Sequence, residues 1–487
     1  MNKKILSFIF FIAPQLTLAL PIDWHGVLGF DTNIIDAYRR IDNNSFSGNS
    51  DGTQEIELPS GDSVNGNWQS YVFRLQPNIV INDSATVKAE LSSGYARGGF
   101  VGENGNSTLA SNALASNDGL ANQLYPMNFS SGSDGLIVNQ LYAELYADTA
   151  TYVLGRQPQH FGLGAVVNSG EGTWDRFSYL RDGITIKVQL GNFKIEPYWT
   201  RVDQGDSLTK GTRVKDYGVS LLYDSVEKDM AFGVLYNKKQ TTGNSLNYST
   251  SVNSGSTQSL GASDIKLINL YFRKALGNFN FAAEVPILSG EFGNLYGGVT
   301  AYKAKAFVAE ADYKLSESWS LGLNAGKVNG DDGRQTSFEA MYLNPNYQVA
   351  NLLFRYNLRG IADNSDYNVY DSYINNASYL KFSAHYFTEK WKWDFGVIYA
   401  KADQVATAGN TAYNHLRNEV FTASFNQSSD LGTEFDTSFE YKWNSEITIG
   451  GNFGYLLTGD YFSYTNTATE NTITNSYILQ LQAAISF

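Results

Sequence analysis

The sequence has no cysteine, few prolines, few histidines and few charges, and each shortage excludes or disfavours a class of protein. The 487 residues include 9 Pro and 4 His, and Asp, Glu, Lys and Arg together make up 17%. Without Cys there are no disulfide scaffolds, thiolate metal sites or cysteine nucleophiles. The net charge is −13 and no basic stripe is present. Nucleic acid is therefore disfavoured as a partner, because phosphate binding requires clustered Lys and Arg.

Long apolar runs are also absent, except at the N-terminus. There Lys3 and Lys4 precede an apolar stretch from Ile5 to Ala13, and small residues follow near Ala19. This order is typical of a secretory signal peptide, and a buried N-terminal helix is the alternative. We expect residues 1–19 to be a signal peptide and 20–487 to form one domain. No later stretch reaches the roughly 20 apolar residues that a membrane-spanning helix requires.

Aromatic residues and glycines are abundant, and polarity alternates with a period of two residues. Phe, Tyr and Trp make up 14% of the chain, and there are 45 Gly. Residues 434–443 place Phe, Thr, Phe, Tyr and Trp on one face and Glu, Asp, Ser, Glu and Lys on the other. Segments of about 10 to 14 such residues recur, which is the length of a tilted transmembrane strand.

The connections between these segments are alternately short and long. Short turns are expected near 82–84, 147–149, 191–192, 225–228, 277–278, 316–318, 389–390 and 444–445. This order favours an all-β, transmembrane, antiparallel up-and-down β-barrel of about 18 strands over a Greek-key sandwich. Tryptophans fit two membrane interfaces, one with Trp24, Trp319, Trp391 and Trp443 and the other with Trp68 and Trp199.

The last strand alternates up to a terminal aromatic residue, with Tyr477, Leu479, Leu481, Ala483, Ile485 and Phe487 on one face. With this ending and layout, the chain resembles Gram-negative outer-membrane porins of the 16- to 18-stranded type. The resemblance implies an outer-membrane location and a passive diffusion channel for small hydrophilic solutes and ions. It also implies contact with outer-membrane lipids and lipopolysaccharide, and a homotrimer. Tyr477, Leu479, Leu481 and Phe487 would be the assembly signal that the barrel-insertion machinery reads.

The alternation also predicts which charged side chains line the pore. Acids and bases are equally numerous in this set, so the slight cation preference that we expect derives from the acidic loops. The charged members are Arg74, Lys88, Glu90, Glu144, Lys187, Lys194, Glu196, Arg273, Glu284, Lys381, Lys392, Asp394, Glu434, Asp436, Glu440 and Lys442.

The third long connection, 158–182, is expected to fold into the pore and narrow it, as the third loop does in general porins. Its charged residues are Glu171, Asp175, Arg176, Arg181 and Asp182. It lacks the Pro-Glu-Phe-Gly-Gly pattern of enterobacterial porins, so no residue roles transfer from them. The alternative is an extracellular loop that packs on its neighbours.

No enzyme, cofactor or metal site is expected. The sequence has no Gly-x-Ser-x-Gly elbow, and Asp331 to Gly333 is interpreted as an acidic turn because the full calcium-loop spacing is missing. The alternative function is a non-conducting structural or adhesive barrel that displays long loops such as 97–135 and 331–375. Residues 338–356 are unusually apolar for an external loop, and they could cap the pore, bind a sugar or contact a neighbouring subunit.

Overall fold

The structure is a computed structural model that describes most of the chain. The described residues are 21–38, 66–93, 97–101, 136–203, 213–242, 249–250, 258–259, 262–296, 298–356, 369–415, 419–468, 470 and 473–487. The predicted signal peptide, 1–19, and most of the loop 97–135 lie outside them.

Eighteen long antiparallel strands form one sheet in the described residues. The strands are β1 (Ile22–Asp36), β2 (Gly66–Asn82), β3 (Ala85–Ser93), β4 (Leu136–Tyr146), β5 (Ala150–Pro158), β6 (Leu180–Leu190), β7 (Phe193–Asp203), β8 (Arg213–Ser225), β9 (Met230–Thr242), β10 (Asp264–Leu276), β11 (Phe279–Gly293), β12 (Thr300–Lys314), β13 (Trp319–Val328), β14 (Ala377–Phe387), β15 (Trp391–Ala402), β16 (Asp430–Lys442), β17 (Ile447–Thr458) and β18 (Ser476–Ser486). Each pairs with its neighbour in sequence, so the topology is the predicted meander.

Pairing of the first strand with the last closes the barrel. Val27 to Asp36 of β1 lie opposite Tyr477 to Ser486 of β18. The N–H of Gly26 donates to the Phe487 carbonyl at 2.7 Å, and the N–H of Phe487 donates back to Gly26 at 3.1 Å. This closure satisfies the backbone groups of both terminal strands, as a lipid environment requires. Within the described residues, no helix has the length and apolar character needed to cross a bilayer.

The outer face of the barrel carries an exposed apolar belt. In β15 the side chains of Phe395, Val397 and Tyr399 are exposed, and the alternate residues Ile398 and Ala400 are buried inside. An apolar exterior on a closed barrel is the arrangement of outer-membrane proteins. The chain is therefore an outer-membrane β-barrel, as predicted.

One tryptophan departs from the predicted interface rings. Trp24, Trp319, Trp391 and Trp443 are exposed at the turn end of the barrel, and Trp199 is exposed toward the other end. Trp68 is buried instead, and its indole N–H donates to the Tyr370 hydroxyl at 3.1 Å. In β2 the alternate residues Ser70, Val72 and Arg74 are also buried, so Trp68 faces the interior and belongs to no interface ring.

Candidate functional site

The connection between β5 and β6, residues 159–179, crosses the inside of the barrel; we call it the first inner segment. At one end of the crossing, the guanidinium of Arg74 on β2 donates to the carbonyls of Gly170 at 3.0 Å and Gly172 at 2.9 Å. At the other end, the Glu284 carboxylate on β11 accepts the N–H of Leu163 at 2.7 Å. β2 and β11 are opposite each other, because they are nine strands apart in either direction around an 18-stranded cylinder.

Glu284 is fully buried and holds its end of the first inner segment through several hydrogen bonds. It also accepts the N–H of Ala165 at 3.3 Å and the amide of Asn269 at 2.8 Å. Gly162 has φ +66°, and a Cβ there would lie 2.6 Å from a Glu284 carboxylate oxygen. Glycine is therefore required at this point, where the chain turns in a left-handed conformation against the carboxylate.

Two buried ion pairs fix the rest of the first inner segment. The Arg176 guanidinium lies 3.2 Å from the Asp31 carboxylate of β1 and 4.2 Å above the ring of Tyr370. Arg97 pairs with Glu90 of β3 at 2.8 Å and also donates to the Gly170 carbonyl. Removing one partner of a buried ion pair typically costs about 3–5 kcal/mol, so these contacts keep the segment in one place.

The segment's own acids bond to its own residues. Glu171 accepts the hydroxyl of Ser169 at 3.1 Å, and Asp175 accepts the N–H of Gly172 at 2.8 Å. Among the five residues predicted for the constriction, Glu171, Asp175 and Arg176 lie on the segment inside the barrel.

Arg181 and Asp182 lie outside this segment, because β6 already begins at Leu180. Arg181 is buried on the inner face, with its guanidinium 3.4 Å from the centre of the Tyr198 ring. Asp182 points the opposite way and forms an exposed ion pair with Arg156 on β5 at 2.8 Å. Successive strand residues face opposite sides, so the assignment of Asp182 to the constriction is wrong.

A second stretch also enters the barrel: residues 337–356, between β13 and β14, which we call the second inner segment. The buried Glu434 carboxylate on β16 accepts the N–H groups of Asn351, Leu352 and Leu353 at 2.8, 2.7 and 2.8 Å. On another side, the Tyr38 hydroxyl donates to the Leu352 carbonyl at 3.3 Å. The sequence left the place of 338–356 open, and the structure puts it inside the barrel.

The two inner segments bind each other. The N–H of Asn344 donates to the Ala165 carbonyl at 2.7 Å, and the Asn346 side chain donates to the Phe177 carbonyl at 2.7 Å. Met341 and Leu352 of the second segment are fully buried in one apolar cluster that also contains Ala165. The apolar run therefore forms a core inside the barrel, where it is shielded from water.

Below the first inner segment, toward the short turns, the inner wall is charged and exposed to water; we call this space the vestibule. Ion pairs line it, and in three of them the Lys or Arg side chain is more exposed than its acidic partner. Side-chain exposure is 46% for Lys187 against 10% for Glu144, 53% for Arg273 against 29% for Asp224, and 48% for Lys392 against 27% for Asp394. In these three pairs, water therefore reaches the positive side chain more than the negative one.

The other predicted pore-lining residues are also on the inner face. Lys88 pairs with Glu144 at 2.8 Å, Lys194 with Asp224 at 3.9 Å, and Lys381 with Asp436 at 3.6 Å. Glu196 lies two residues before Tyr198 and four before Thr200, both buried, so its side chain is on the same inner face. Four of the predicted residues are buried and contribute no exposed charge: Arg74, Glu90, Glu284 and Glu434. Three of them bond directly to an inner segment, and Glu90 pairs with Arg97, which does so.

A cavity of about 220 Å³ lies in the vestibule, beneath the tip of the first inner segment. Trp174 of that segment borders it, and Lys392, Asp394, Ser438, Glu440 and Gln482 are among the wall residues. Most of the lining is polar, with Trp174 and Phe439 as the aromatic residues, and the size of the cavity suits a small solute or a few water molecules.

Asp331 stabilises an outer loop. Its carboxylate accepts the N–H of Gly333 at 2.8 Å and of Glu339 at 2.7 Å, and its own N–H donates to His415 Nε2 at 2.8 Å. Burial lowers the pKa of His415 to about 3, so the ring is neutral and can accept this bond. No cluster of three metal-binding side chains occurs among the residues that the structure describes.

Sequence reasoning missed a trio of side chains at the turn end of the vestibule. The Ser383 hydroxyl lies 3.0 Å from His385 Nε2, and His385 Nδ1 lies 2.5 Å from the Asp394 carboxylate. Ser383 and His385 share the inner face of β14, and the strand register places Asp394 of β15 opposite His385. Alternation along β14 places His385 on the inner face, but only the register reveals its partners.

No family model matches the sequence, and no curated protein matches it. Solved barrels resemble it at low identity. A BenF-like porin from Pseudomonas fluorescens Pf-5 is 10% identical with a TM-score of 0.48, covering 96% of this chain and 99% of that one. OccK1 (OpdK) of Pseudomonas aeruginosa is 9% identical, with a TM-score of 0.47 and the same coverage. OmpT of Vibrio cholerae, in a trimer form, is 10% identical with a TM-score of 0.38, again over 96% and 99%.

Proposed function

We propose that the protein is an outer-membrane porin, a passive diffusion channel for small hydrophilic solutes and ions. The observation that carries the proposal is a water-exposed, charged vestibule directly beneath two segments that fold into the barrel. Transport of this kind requires no turnover chemistry. Solutes are selected by the width of the passage and by the field of the wall charges.

The constriction in this proposal is formed by both inner segments. The first contributes Glu171, Asp175, Arg176 and the indole of Trp174. The second reduces the remaining cross-section from the side of β16, where Glu434 holds it. Since the lumen is partly filled, we expect a small single-channel conductance. The exposed bases of the vestibule favour a weak anion preference, which is opposite in sign to the expectation from loop composition.

The remaining parts of the proposal concern export and assembly. Residues 1–19 direct export in a Gram-negative bacterium. The insertion machinery reads Tyr477, Leu479, Leu481 and Phe487. The first three are exposed on the outer face of β18, and Phe487, also exposed, follows the end of that strand. Lipopolysaccharide and other outer-membrane lipids surround the apolar belt. A homotrimer is part of the proposal and rests on the resemblance to porins.

Conductance of the purified protein in a planar bilayer tests this function. Trp174→Ala removes the indole that borders the cavity, so it should raise single-channel conductance. Trp443→Ala changes an exposed residue at a turn and is the matched control. If the wild-type protein and Trp174→Ala leave the bilayer as insulating as it is without protein, the channel proposal fails. The alternative, a non-conducting structural or adhesive barrel, then takes its place.

A further inference from the structure

The trio of Ser383, His385 and Asp394 holds neither inner segment, so its arrangement has no evident role in the fold of the pore. All three face the vestibule, and the His385 and Asp394 side chains are 23% and 27% exposed. They therefore differ from the buried carboxylates Glu284 and Glu434, whose oxygens accept hydrogen bonds from backbone N–H groups of the inner segments. Water and small solutes in the vestibule can reach them.

The hydrogen bond to Asp394 fixes one hydrogen of the ring. An ionised carboxylate only accepts, so His385 Nδ1 must carry the hydrogen that is donated to Asp394. When the ring is neutral, Nε2 has a free lone pair that can accept from the Ser383 hydroxyl, 3.0 Å away. This order of serine, imidazole and carboxylate is the one that activates a serine as a nucleophile.

The surroundings hold this geometry in place. The Asp394 carboxylate is itself bonded by Lys392 Nζ at 3.1 Å and by the Ser438 hydroxyl at 3.2 Å. Gly322 lies opposite Ser383 on β13, and a Cβ there would collide with the Ser383 hydroxyl and lie 3.0 Å from His385 Nε2. The glycine leaves the room that the serine and the ring need to meet.

We propose that Ser383 is a nucleophile and that the vestibule hydrolyses small esters that enter it. The Ser383 oxygen bonds to the acyl carbon while its proton passes to His385 Nε2. The ester C–O bond breaks, and the alcohol leaves with that proton. Water then attacks the acyl-serine, giving its proton to His385, which returns it to Ser383 as the acid departs. Asp394 is a positioning residue, and Lys392 Nζ holds it at 3.1 Å.

The size of the effect should be modest. The inner wall of a β-barrel has its backbone N–H groups paired between strands, so it offers no ready pair of them to stabilise an oxyanion. We therefore expect slow turnover but clear reactivity toward an activated probe. With a fluorophosphonate, an O–P bond forms at Ser383, the P–F bond breaks, fluoride leaves, and the proton goes to His385.

The test is labelling of the purified full-length barrel by a fluorophosphonate, with the modified residue located by peptide mass spectrometry. We expect label on Ser383 and none in Ser383→Ala. The matched control is Ser378→Ala, a serine on the outward face of the same strand, which should label normally. His385→Ala should slow labelling by about 100-fold, the usual contribution of a general base. Asp394→Asn should slow labelling, and Asp394→Glu should restore part of the rate.

Any of three results overturns the proposal: no label on Ser383, label at other residues only, or an unchanged rate in His385→Ala. Hydrolysis of a chromogenic acetate ester by the same preparations is a second readout, and it should fall in Ser383→Ala. Ester hydrolysis equal in the wild-type protein and Ser383→Ala counts against the proposal even if the probe labels. None of these measurements depends on conductance, so the channel function and this activity stand or fall separately.

Discussion

Replacing Glu434 with Gln should loosen the second inner segment, because that carboxylate holds three consecutive backbone N–H groups. Both oxygens are used: one accepts from Asn351 and Leu352, and the other accepts from Leu353 at 2.8 Å. A glutamine retains one oxygen and turns an NH₂ group toward one of the donors. Glu434 is fully buried, so water does not reach the N–H group that has lost its acceptor.

The loss of docking free energy can be calculated from the hydrogen bonds that the substitution breaks. A hydrogen bond to a charged group contributes about 1.5–3 kcal/mol, and a buried donor left without a partner costs about 1–3 kcal/mol. We therefore expect the segment's docking free energy to fall by about 2–3 kcal/mol. Since 1.4 kcal/mol is a factor of ten, local opening should become about 30- to 150-fold more frequent.

Hydrogen exchange of the Leu352 and Leu353 amides measures this opening directly. Glu440→Gln is the matched control, because Glu440 lies on the same face of β16 but borders the open cavity. Exchange of both amides should accelerate in Glu434→Gln and stay at the wild-type rate in Glu440→Gln. Unchanged exchange in Glu434→Gln would show that the apolar contacts alone hold the segment, and the hydrogen-bond argument would be wrong.

Three further predictions concern charge, pH and assembly. Reversal potentials under a salt gradient should show a weak anion preference, and Lys392→Gln should reduce it; a clear cation preference would refute the exposure argument. Burial lowers the pKa of His415 to about 3, so His415 binds a proton at a higher pH in the unfolded loop than in the folded loop. The stability of the folded loop should therefore fall as pH drops from about 6.5 to about 3. Exchange of the Asp331 amide, measured against that of Leu343, should follow this fall, and in His415→Gln it should not. Deleting Phe487 removes the pairing with Gly26 and the terminal aromatic, so less assembled barrel should reach the outer-membrane fraction; an unchanged yield would contradict the proposed assembly signal.

The strands and their faces could be predicted because alternation is a local property of the sequence. Residues 434–443 alternate, and the same alternation puts Glu434 inside and Phe435 outside. The predicted short turns also coincide with the ends of the strands, as at 191–192 between β6 and β7. The prediction for Asp182 was wrong because the loop ends earlier than expected. β6 begins at Leu180, so Asp182 is a strand residue on the outer face.

The interior could not be predicted, because it depends on contacts between residues far apart in sequence. The apolar run 338–356 has the same composition whether it covers the pore mouth, meets a neighbour or fills the lumen. Its place depends on Glu434, more than 80 residues away. Likewise, Ser383, His385 and Asp394 meet only because β14 and β15 pair in one register. A shift of that register by one residue would turn Asp394 to the lipid.

The crossing of the barrel by the first inner segment has a mechanical consequence. A hollow cylinder of 18 strands can be flattened into an ellipse with little change in its strand-to-strand hydrogen bonds. Here Arg74 and Glu284 bind one segment from opposite walls, so the segment links the two walls across the lumen. Lengthening that diameter would have to break buried, charge-assisted hydrogen bonds. Because strand pairing fixes the circumference, one diameter shortens only if the diameter at right angles lengthens. Lateral pressure from the membrane should therefore not flatten the barrel in the direction that lengthens the diameter from β2 to β11.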